Sequence, residues 1–284
     1  MKRLLAALSV LLASAFASPL PLQDDLGRTV TLKAPPKRIV TMLPSVTETV
    51  CALGACDRIV ATDDYSDWPE SVKRLPKAGG LYNPNPELIV PLKPDLVLVS
   101  KYGRLYETLE RAGLTVYAVR TETYEDIFKT VRTLGRLLGL PAEAERLVAQ
   151  IQKEVYQEEA RAAKARSRPR VYYEIDPTPY TVGPESFIGV LISKARGVNI
   201  VPKELGLFPK ISPEFVVEKD PEVIVATYPN ALETIRSRPG WSRIQAVRTG
   251  RICVYTGGEA SLLSRPGPRV AQALRLLVDC VHGR

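Results

Sequence analysis

The chain has 284 residues, of which 45% are hydrophobic and 25% charged, as is typical of a globular protein with one large domain or two ordinary ones. Its 39 Lys and Arg residues outnumber 31 Asp and Glu residues, which gives a formal net charge of +8. This composition excludes a disordered chain, and the basic residues are too scattered to favour a nucleic-acid-binding protein.

The first 17 residues are predicted to form a secretory signal peptide. Lys2 and Arg3 precede an apolar stretch at 4–12, and small residues at positions 15 and 17 fit a cleavage site after Ala17. The apolar stretch is shorter than the roughly 20 residues that a membrane-spanning helix needs. We therefore expect a cleaved, exported and soluble mature protein.

Strands and helices alternate through residues 18–140, which predicts an N-terminal α/β lobe with a largely parallel sheet. Ser45 is expected to cap a helix that ends near Gly54, with Glu48 completing a capping box. The remaining predicted elements are a hairpin at 26–32, strands at 38–42, 59–62 and 114–119, and helices at 106–112 and 124–138.

One pattern occurs twice, at Asn85–Ser100 and at Ser212–Thr227. Each copy has a helix-capping residue, then Pro-Glu, a short apolar helix, a second Pro and an apolar strand. A helix–strand unit repeated at such a long interval indicates two similar lobes with a cleft between them, rather than a solenoid of short repeats.

The segment 141–168 is predicted to contain one long helix, from Pro141 to about Arg166, that joins the lobes. An ordinary surface helix is the alternative. A C-terminal lobe is then expected over residues 169–284. Its predicted elements are strands at 170–174, 199–201 and 251–255, a helix from about Ser186, a loop through 262–268 and a C-terminal helix at 269–281.

The four cysteines are expected to form disulfides, because an exported protein meets an oxidising environment. Three pairings are conceivable, and the sequence does not choose among them. Pairing of Cys51 with Cys56 and of Cys253 with Cys280 fits two separate lobes best.

The sequence contains no recognisable catalytic, phosphate-binding or metal-binding motif. Its one histidine, His282, lies near the C-terminus, which argues against catalytic triads and zinc sites. The neighbouring carboxylates Asp63 and Asp64 are more typical of a turn than of acid–base catalysis. We therefore expect a protein that is not an enzyme and holds no metal or other resident cofactor.

Aromatic side chains lie instead at or just past the predicted strand ends. In open α/β sheets the ligand crevice lies outside the carboxyl ends of the strands, and aromatic residues there provide rigid contact area. Packing within each lobe is the alternative for any one of them. The candidate ligand-binding residues are Tyr65, Trp68, Tyr82, Tyr102, Tyr180, Phe187 and Phe208, with Tyr228 also near a strand end.

The residues from Arg38 to Cys280 resemble the substrate-binding proteins of bacterial ABC importers for cobalamin, ferric siderophores and haem. The match to the vitamin B12-binding branch is the strongest. The motifs that carry the resemblance are R-I-V-T-M-L-P-S-V-T-E (38–48), Y-S-D-W-P (65–69), P-E-L-I-V-P-L-K-P-D-L-V (86–97), T-V-G-P-E-S-F (181–187) and S-P-E-F-V-V (212–217).

This resemblance implies two Rossmann-like lobes with central parallel sheets, joined by a single long backbone helix, and a ligand between the lobes. It also implies a periplasmic monomer that docks onto the permease dimer of an inner-membrane ABC importer. Glu87 and Glu214 match the acids that bind the permease in this family. Their alternative role is only to complement the helix dipoles.

By position, the resemblance assigns ligand contacts to Tyr65, Tyr82, Tyr180, Phe208 and Arg265. The chain departs from the vitamin B12-binding branch at Tyr82 and Phe208, where that branch has Trp around its pocket. Cobalamin is the first expectation for the ligand, and a ferric siderophore or haem is the alternative. An anionic siderophore would require several cations, and the obvious ones are Lys101, Arg104 and Arg265. A sensor on the same fold is a less favoured function.

Overall fold

The structure, a computed structural model, describes residues 20–283, so the predicted signal peptide lies outside the described residues. None of the helices in this range is long and apolar enough to cross a membrane. The strands are β1 (Leu20–Gln23), β2 (Thr29–Leu32), β3 (Ile39–Thr41), β4 (Ile59–Thr62), β5 (Leu96–Ser100), β6 (Val116–Val119), β7 (Arg170–Glu174), β8 (Val198–Asn199), β9 (Val223–Ala226) and β10 (Ile252–Val254). The helices are α1 (Pro44–Ala52), α2 (Pro86–Ile89), α3 (Leu105–Arg111), α4 (Tyr124–Leu138), α5 (Pro141–Ala162), α6 (Phe187–Lys194), α7 (Pro213–Lys219), α8 (Ala231–Ser237), α9 (Gln245–Thr249), α10 (Gly257–Ser264) and α11 (Val270–His282).

Two four-stranded parallel sheets form the two lobes and have the same strand order. Lobe one has the order β4-β3-β5-β6, and lobe two has the order β10-β9-β7-β8. The strands of each sheet can be numbered one to four in chain order, from β3 in lobe one and from β7 in lobe two. Both sheets then have the order two, one, three, four, when the lobe-two sheet is read from β8 to β10. The prediction of two similar α/β lobes is therefore confirmed.

The repeated sequence unit occupies the same place in both lobes, as the helix and strand α2–β5 and α7–β9. The side chain of Asn85 accepts the Leu88 N–H, and that of Ser212 accepts the Phe215 N–H, so both are N-caps as predicted. In each lobe the strand of this unit pairs with the first strand of the sheet.

A carboxylate just after each repeated helix fixes the start of the first strand. Asp95 Oδ2 accepts the backbone N–H of Arg38 at 2.9 Å, and Glu222 Oε2 accepts that of Arg170 at 2.9 Å. The side chain of Arg38 in turn donates to the carbonyl of Leu92, just after the helix of lobe one. The side chain of Arg170 donates to the carbonyl of Asp220, just after the helix of lobe two. The repeat therefore preserves hydrogen bonds as well as helix and strand.

The hairpin β1–β2 covers the open edge of the lobe-one sheet. Its turn uses Gly27 at φ 82°, where glycine is favoured, and its strands start earlier than expected, at Leu20. Asp24 accepts the Ala118 N–H, and Asp25 accepts the Arg120 N–H, which satisfies donors along β6.

The long helix α5 joins the lobes and shares its buried face with both. It spans about 33 Å at 1.5 Å per residue and ends at Ala162, earlier than the predicted Arg166. Pro169 disfavours helical backbone just before it, and a turn from Ala165 N–H to Ala162 O ends the helix. Val148 and Ile151 of α5 belong to one continuous core that contains residues from the sheets of both lobes.

Two local predictions are wrong. Helix α1 begins at Pro44 and has no side-chain cap, so Ser45 and Glu48 form no capping box. The loop predicted at 262–268 begins later than expected, because residues 262–264 form the end of helix α10. The side chain of Glu48 points into the protein instead and is 2% exposed.

Both disulfides lie within single lobes. Cys51 at the end of α1 pairs with Cys56, and Cys253 in β10 pairs with Cys280 in α11. The structure therefore has the pairing within each half that fits separate lobes best.

Candidate functional site

A cavity of about 410 Å³ lies at the carboxyl ends of the lobe-one strands. The segments that follow β3, β4 and β6 form one wall, and the end of α10 with the loop after it forms the other. The lining residues are Leu43, Pro44, Ser45, Val46, Tyr65, Val119 and Thr121 from lobe one, and Ser261, Ser264, Arg265 and Pro266 from the C-terminal segment. This position agrees with the rule that ligands bind outside the carboxyl ends of parallel strands.

The cavity wall is mostly apolar, with neutral hydroxyl groups and one charged side chain. Leu43, Val46 and Val119 contribute apolar surface, and the hydroxyls come from serine, threonine and tyrosine residues. Arg265 is the one charged residue in this lining. The wall can therefore bind an apolar body and hydrogen-bond to its polar substituents.

Arg265 is held by three acceptors of lobe one. Its Nη1 donates to Glu48 Oε1 at 2.9 Å and to Asp67 Oδ1 at 2.6 Å, and its Nη2 donates to the carbonyl of Tyr65 at 2.9 Å. These bonds connect the C-terminal segment to helix α1 and to the loop after β4. Arg265 therefore joins the two walls of the cavity through hydrogen bonds.

Arg269 binds the same buried carboxylate. Its Nε lies 2.8 Å from Glu48 Oε2 and its Nη2 lies 2.6 Å from Oε1, which is the two-point geometry that arginine forms with carboxylates. The guanidinium also lies 4.7 Å from the ring centre of Trp68, in a cation–π contact. We call Glu48, Asp67, Arg265 and Arg269 the Glu48 cluster.

The Glu48 cluster carries no net charge, since two carboxylates balance two guanidinium groups. Burial acts to lower the pKa of Arg265, but the hydrogen bonds and charges of Asp67 and Glu48 raise it by more, so its pKa is raised overall. The positive charge at the cavity wall is thus permanent and is already neutralised by the protein.

A buried carboxylate fixes the loop that carries Tyr65. Asp63 Oδ1 accepts the Tyr65 N–H at 2.8 Å, and Asp63 Oδ2 accepts the Ser66 hydroxyl at 2.5 Å. The Ser66 hydroxyl also lies 2.7 Å from that of Thr47 in α1. Burial raises the pKa of Asp63, although the Ser66 and Tyr65 hydrogen bonds partly oppose the shift.

The predicted aromatic residues of lobe one lie on exposed loops at the same end of the sheet. Tyr65 is 69% exposed, and its ring lies against Gly80, where a Cβ atom would come within 3.1 Å of the ring. Trp68, Tyr82 and Tyr102 are also exposed. Of these four, Tyr65 belongs to the cavity lining.

Tyr102 is tied to the junction between the lobes. Its hydroxyl donates to the Glu122 carboxylate, and the Glu122 carbonyl accepts the Phe187 N–H of lobe two at 2.9 Å. Burial and the hydrogen bond to Glu122 raise the pKa of Tyr102 to about 12, so its hydroxyl is neutral at physiological pH.

The predicted aromatic residues of lobe two fall into two groups. Tyr180 and Phe208 are exposed on loops, and Tyr180 pairs through its backbone with Lys210. Phe187, by contrast, is 4% exposed and packs in the continuous core, so the structure does not bring it to the cavity. Tyr228 is also buried.

Tyr228 belongs to a second buried ionic group, which we call the Glu174 cluster. Glu174 at the end of β7 accepts the hydroxyls of Tyr172 and Tyr228 and two N–H groups of Arg238, at 2.5 and 2.9 Å. The Arg238 guanidinium lies 4.4 Å from the ring centre of Trp241. All the members lie in lobe two.

Glu87 and Glu214 lie at the second position of α2 and of α7, and both are exposed. Neither forms an ion pair with another residue of the described part of the chain. The structure therefore presents one unpaired carboxylate on the equivalent helix of each lobe.

The sequence interpretation missed the roles of Glu48, Asp67 and Arg269. A charged residue within the apolar helix that contains Glu48 is a signal, because buried carboxylates require partners. A second signal is the R-P-G-P-R sequence at 265–269, which places two arginines close together on a short segment. Neither pattern identifies the partner, since more than 200 residues separate them.

The sequence pattern of the family described as periplasmic binding protein matches residues 39–257. A cobalamin-binding protein of Halobacterium salinarum (strain R1) is 30% identical, over 94% of this chain and 75% of the relative. The uncharacterized ABC transporter substrate-binding lipoprotein YvrC of Bacillus subtilis (strain 168) is 29% identical, over 93% of this chain and 86% of its own length.

Among solved structures, a periplasmic solute-binding protein of Staphylococcus epidermidis ATCC 12228 has a TM-score of 0.78 and 26% identity. The superposition covers 88% of this chain and all of that one, and iron is the suggested ligand of that protein. Because the family pattern covers most of the chain, the chain belongs to the periplasmic binding protein family.

Proposed function

We propose that this periplasmic binding protein is the solute receptor of an ABC importer and that it binds a corrinoid, such as cobalamin, between its lobes. It would act as an exported monomer in the periplasm and deliver the ligand to a permease dimer in the inner membrane. The proposal describes a binding protein rather than an enzyme, and the corrinoid is its cargo rather than a resident cofactor.

The observation that carries the choice of ligand is the charge balance of the cavity. Arg265, the one charged residue in the lining, is neutralised by Glu48 and Asp67. A ferric catecholate or carboxylate siderophore and haem carry phenolate or carboxylate charges, which favour sites with several unpaired cations. Cyanocobalamin is neutral overall and carries amide groups, which suit the hydroxyls of Ser45, Thr121 and Ser261.

The exposed aromatic residues support a ligand larger than the cavity. A volume of about 410 Å³ is at the lower end of pockets for drug-sized molecules, and a corrinoid is larger than these. Tyr65 on the cavity wall and Tyr82 on a neighbouring loop expose 69% and 94% of their surface. Tyr180 and Phe208 offer aromatic surface on lobe two, so the ring can extend beyond the cavity and stack on these side chains.

The permease partner is supported by Glu87 and Glu214. Complementing a helix dipole contributes about 0.3–1 kcal/mol and explains an acid in a first helical turn. It does not require that both copies of the repeat keep an exposed, unpaired acid. Docking of each lobe onto one half of a two-fold permease gives that arrangement a function.

The ligand is tested by isothermal titration and thermal unfolding with cyanocobalamin, haem and a ferric catecholate. Cyanocobalamin at 100 times its dissociation constant should stabilise the protein by about 2.7 kcal/mol. Replacement of Tyr65 by Ala should weaken binding, whereas Tyr156→Ala, an equally exposed aromatic on α5, should not. Stabilisation by haem or the ferric catecholate but not by cyanocobalamin would show that the ligand is an iron chelate rather than a corrinoid.

The partner is tested by charge reversal. The double variant Glu87→Lys/Glu214→Lys should bind the ligand normally but lose binding to the permease and ligand uptake. Glu233→Lys is the matched control, because Glu233 is an exposed acid in the first turn of α8. Undiminished uptake by the double variant would contradict the docking role and favour a sensor.

A further inference from the structure

The charge at the cavity wall is controlled by two carboxylates that differ in exposure. Glu48 is 2% exposed and binds both Arg265 and Arg269, so it is a fixed part of the protein interior. Asp67 is 51% exposed, and its one ion pair among the described residues is with Arg265, at 2.6 Å. Asp67 is thus the carboxylate of the Glu48 cluster that is in contact with water and can move away from Arg265.

The removal of Asp67 from Arg265 changes the charge that a ligand meets. With Asp67 in place the Glu48 cluster is neutral, and without it the cluster carries one positive charge beside the cavity. Arg265 itself is 11% exposed and keeps its bonds to Glu48 and to the Tyr65 carbonyl, so the guanidinium would stay in position.

We propose that Asp67 sets the charge selectivity of the cavity by occupying Arg265 and so disfavouring ligands that present a carboxylate there. This inference rests on the proposed function in that it assumes that the cavity of Arg265 is the ligand site. It assigns Asp67 as a specificity residue for neutral, amide-bearing ligands over their acidic counterparts.

The chemistry of the guanidinium explains the selectivity. Arg265 has five N–H donors, and the three bonds described leave two without a partner among the described residues. A neutral amide oxygen can accept one of these while Asp67 stays in place. A carboxylate there would either face the like charge of Asp67 or have to displace it from Arg265.

The test uses a ligand pair that differs by one charge: cyanocobalamin and its monocarboxylates, in which one peripheral amide is hydrolysed to an acid. The variant Asp67→Asn should bind at least one monocarboxylate about three- to tenfold more tightly than the wild type at low ionic strength. Its affinity for cyanocobalamin should change by a smaller factor than its affinity for that monocarboxylate, and the gain should shrink in 0.5 M salt.

The matched control is Asp64→Asn, which removes the same charge from the same loop. Asp64 accepts the Gly79 N–H and has no bond to Arg265. This variant should leave both affinities unchanged. Equal gains from Asp64→Asn and Asp67→Asn would overturn the proposal, because a general change of surface charge would then explain both.

A double variant tests whether Asp67 acts through Arg265. In the Arg265→Gln background, Asp67→Asn should lose most of its gain for the monocarboxylates, whereas a gain of full size would overturn the proposal. The unfolding temperature of Asp67→Asn should change little, because Asp67 is half exposed and Arg265 keeps its ion pair with Glu48.

The outcome also separates this inference from the proposed function. If the wild type does not bind cyanocobalamin, the corrinoid assignment fails, and the variants are then measured with whichever of haem or ferric catecholate binds. Asp67→Asn must strengthen the binding of that anion. Equal affinities of wild type and Asp67→Asn for every acidic ligand would overturn the selectivity role, even where cyanocobalamin binds.

Discussion

The Glu48 and Glu174 clusters use the same chemistry for different connections. In each, a buried glutamate accepts two N–H groups of one arginine, Arg269 in the first and Arg238 in the second. The partners of Glu174 all belong to lobe two. Those of Glu48 include Arg265, which lies 217 residues further along the chain.

The tryptophan beside each cluster shows the same difference. Trp241, next to the Glu174 cluster, is fully buried, whereas Trp68, next to the Glu48 cluster, is 49% exposed. The same kind of ion pair therefore belongs to a hydrophobic core in lobe two and holds a wall of the cavity in place beside lobe one. The location of the partner, rather than the ion pair itself, decides which role it has.

The largest effect on stability is expected from Glu174→Ala. The variant leaves Arg238 buried without a counter-charge, which should lower the free energy of unfolding by about 3–5 kcal/mol. Ligand affinity should change little, because Glu174 is not among the residues that line the cavity. Urea unfolding and titration calorimetry measure the two quantities, and a loss of ligand affinity in the folded variant would break the comparison.

The disulfides of the two lobes should differ in their contribution. Replacement of Cys253 and Cys280 by Ser removes a cross-link between residues that are 27 positions apart. The greater freedom of the unfolded chain should lower the free energy of unfolding by about 3.5 kcal/mol. Replacement of Cys51 and Cys56, five residues apart, should cost about 2 kcal/mol. Denaturant unfolding of the two double variants gives the order, and the reverse order would contradict the loop-length argument.

Glu48→Ala should affect stability less than Glu174→Ala but should also affect binding. After this change Arg265 keeps Asp67 as a counter-charge, and no tyrosine hydroxyl loses its acceptor as Tyr172 and Tyr228 do without Glu174, so we expect a loss of about 2–3 kcal/mol. Ligand affinity should fall, and amide hydrogen exchange should accelerate in residues 257–268. Exchange that stays as slow as in the wild type would show that this segment does not depend on Glu48.

The smallest effect concerns Asp63 and depends on pH. Burial raises its folded pKa above the usual 3.8, so the native state holds this proton more firmly than the unfolded chain. The stabilisation by the protonated form is complete below pH 3.8 and is lost as the pH rises through the folded pKa. The free energy of unfolding of the wild type should therefore fall relative to Asp63→Asn between pH 3.8 and 7, and a constant difference would contradict the shift.

Features that depend on neighbouring residues could be predicted from the sequence. Asn85 and Ser212 cap helices as expected, and α4 has the predicted ends because Thr123 caps its start and Gly139 adopts φ 72° after its last turn. The parallel sheets of the two lobes follow from the alternation of strands and helices. These signals act over a few residues and need no knowledge of distant contacts.

Features that depend on distant residues could not be predicted in this way. The direction of Phe187 is set by the packing of α6, and one residue along a helix turns a side chain by about 100°. Glu48 fits a capping box by its spacing, but burial beside Arg265 and Arg269 overrides that local preference. The cavity could be located to the correct edge of the sheet, while the charge balance of its wall required the contacts themselves.

The contact of Arg265 and Arg269 with α1 has a consequence for the order in which the protein is made. The N-terminal lobe emerges first in synthesis or export, and its sheet can form before the C-terminal segment is available. One wall of the cavity, however, comes from the end of the chain. A chain that has been made only as far as Gly258 therefore lacks one wall of the cavity, although lobe one is already complete.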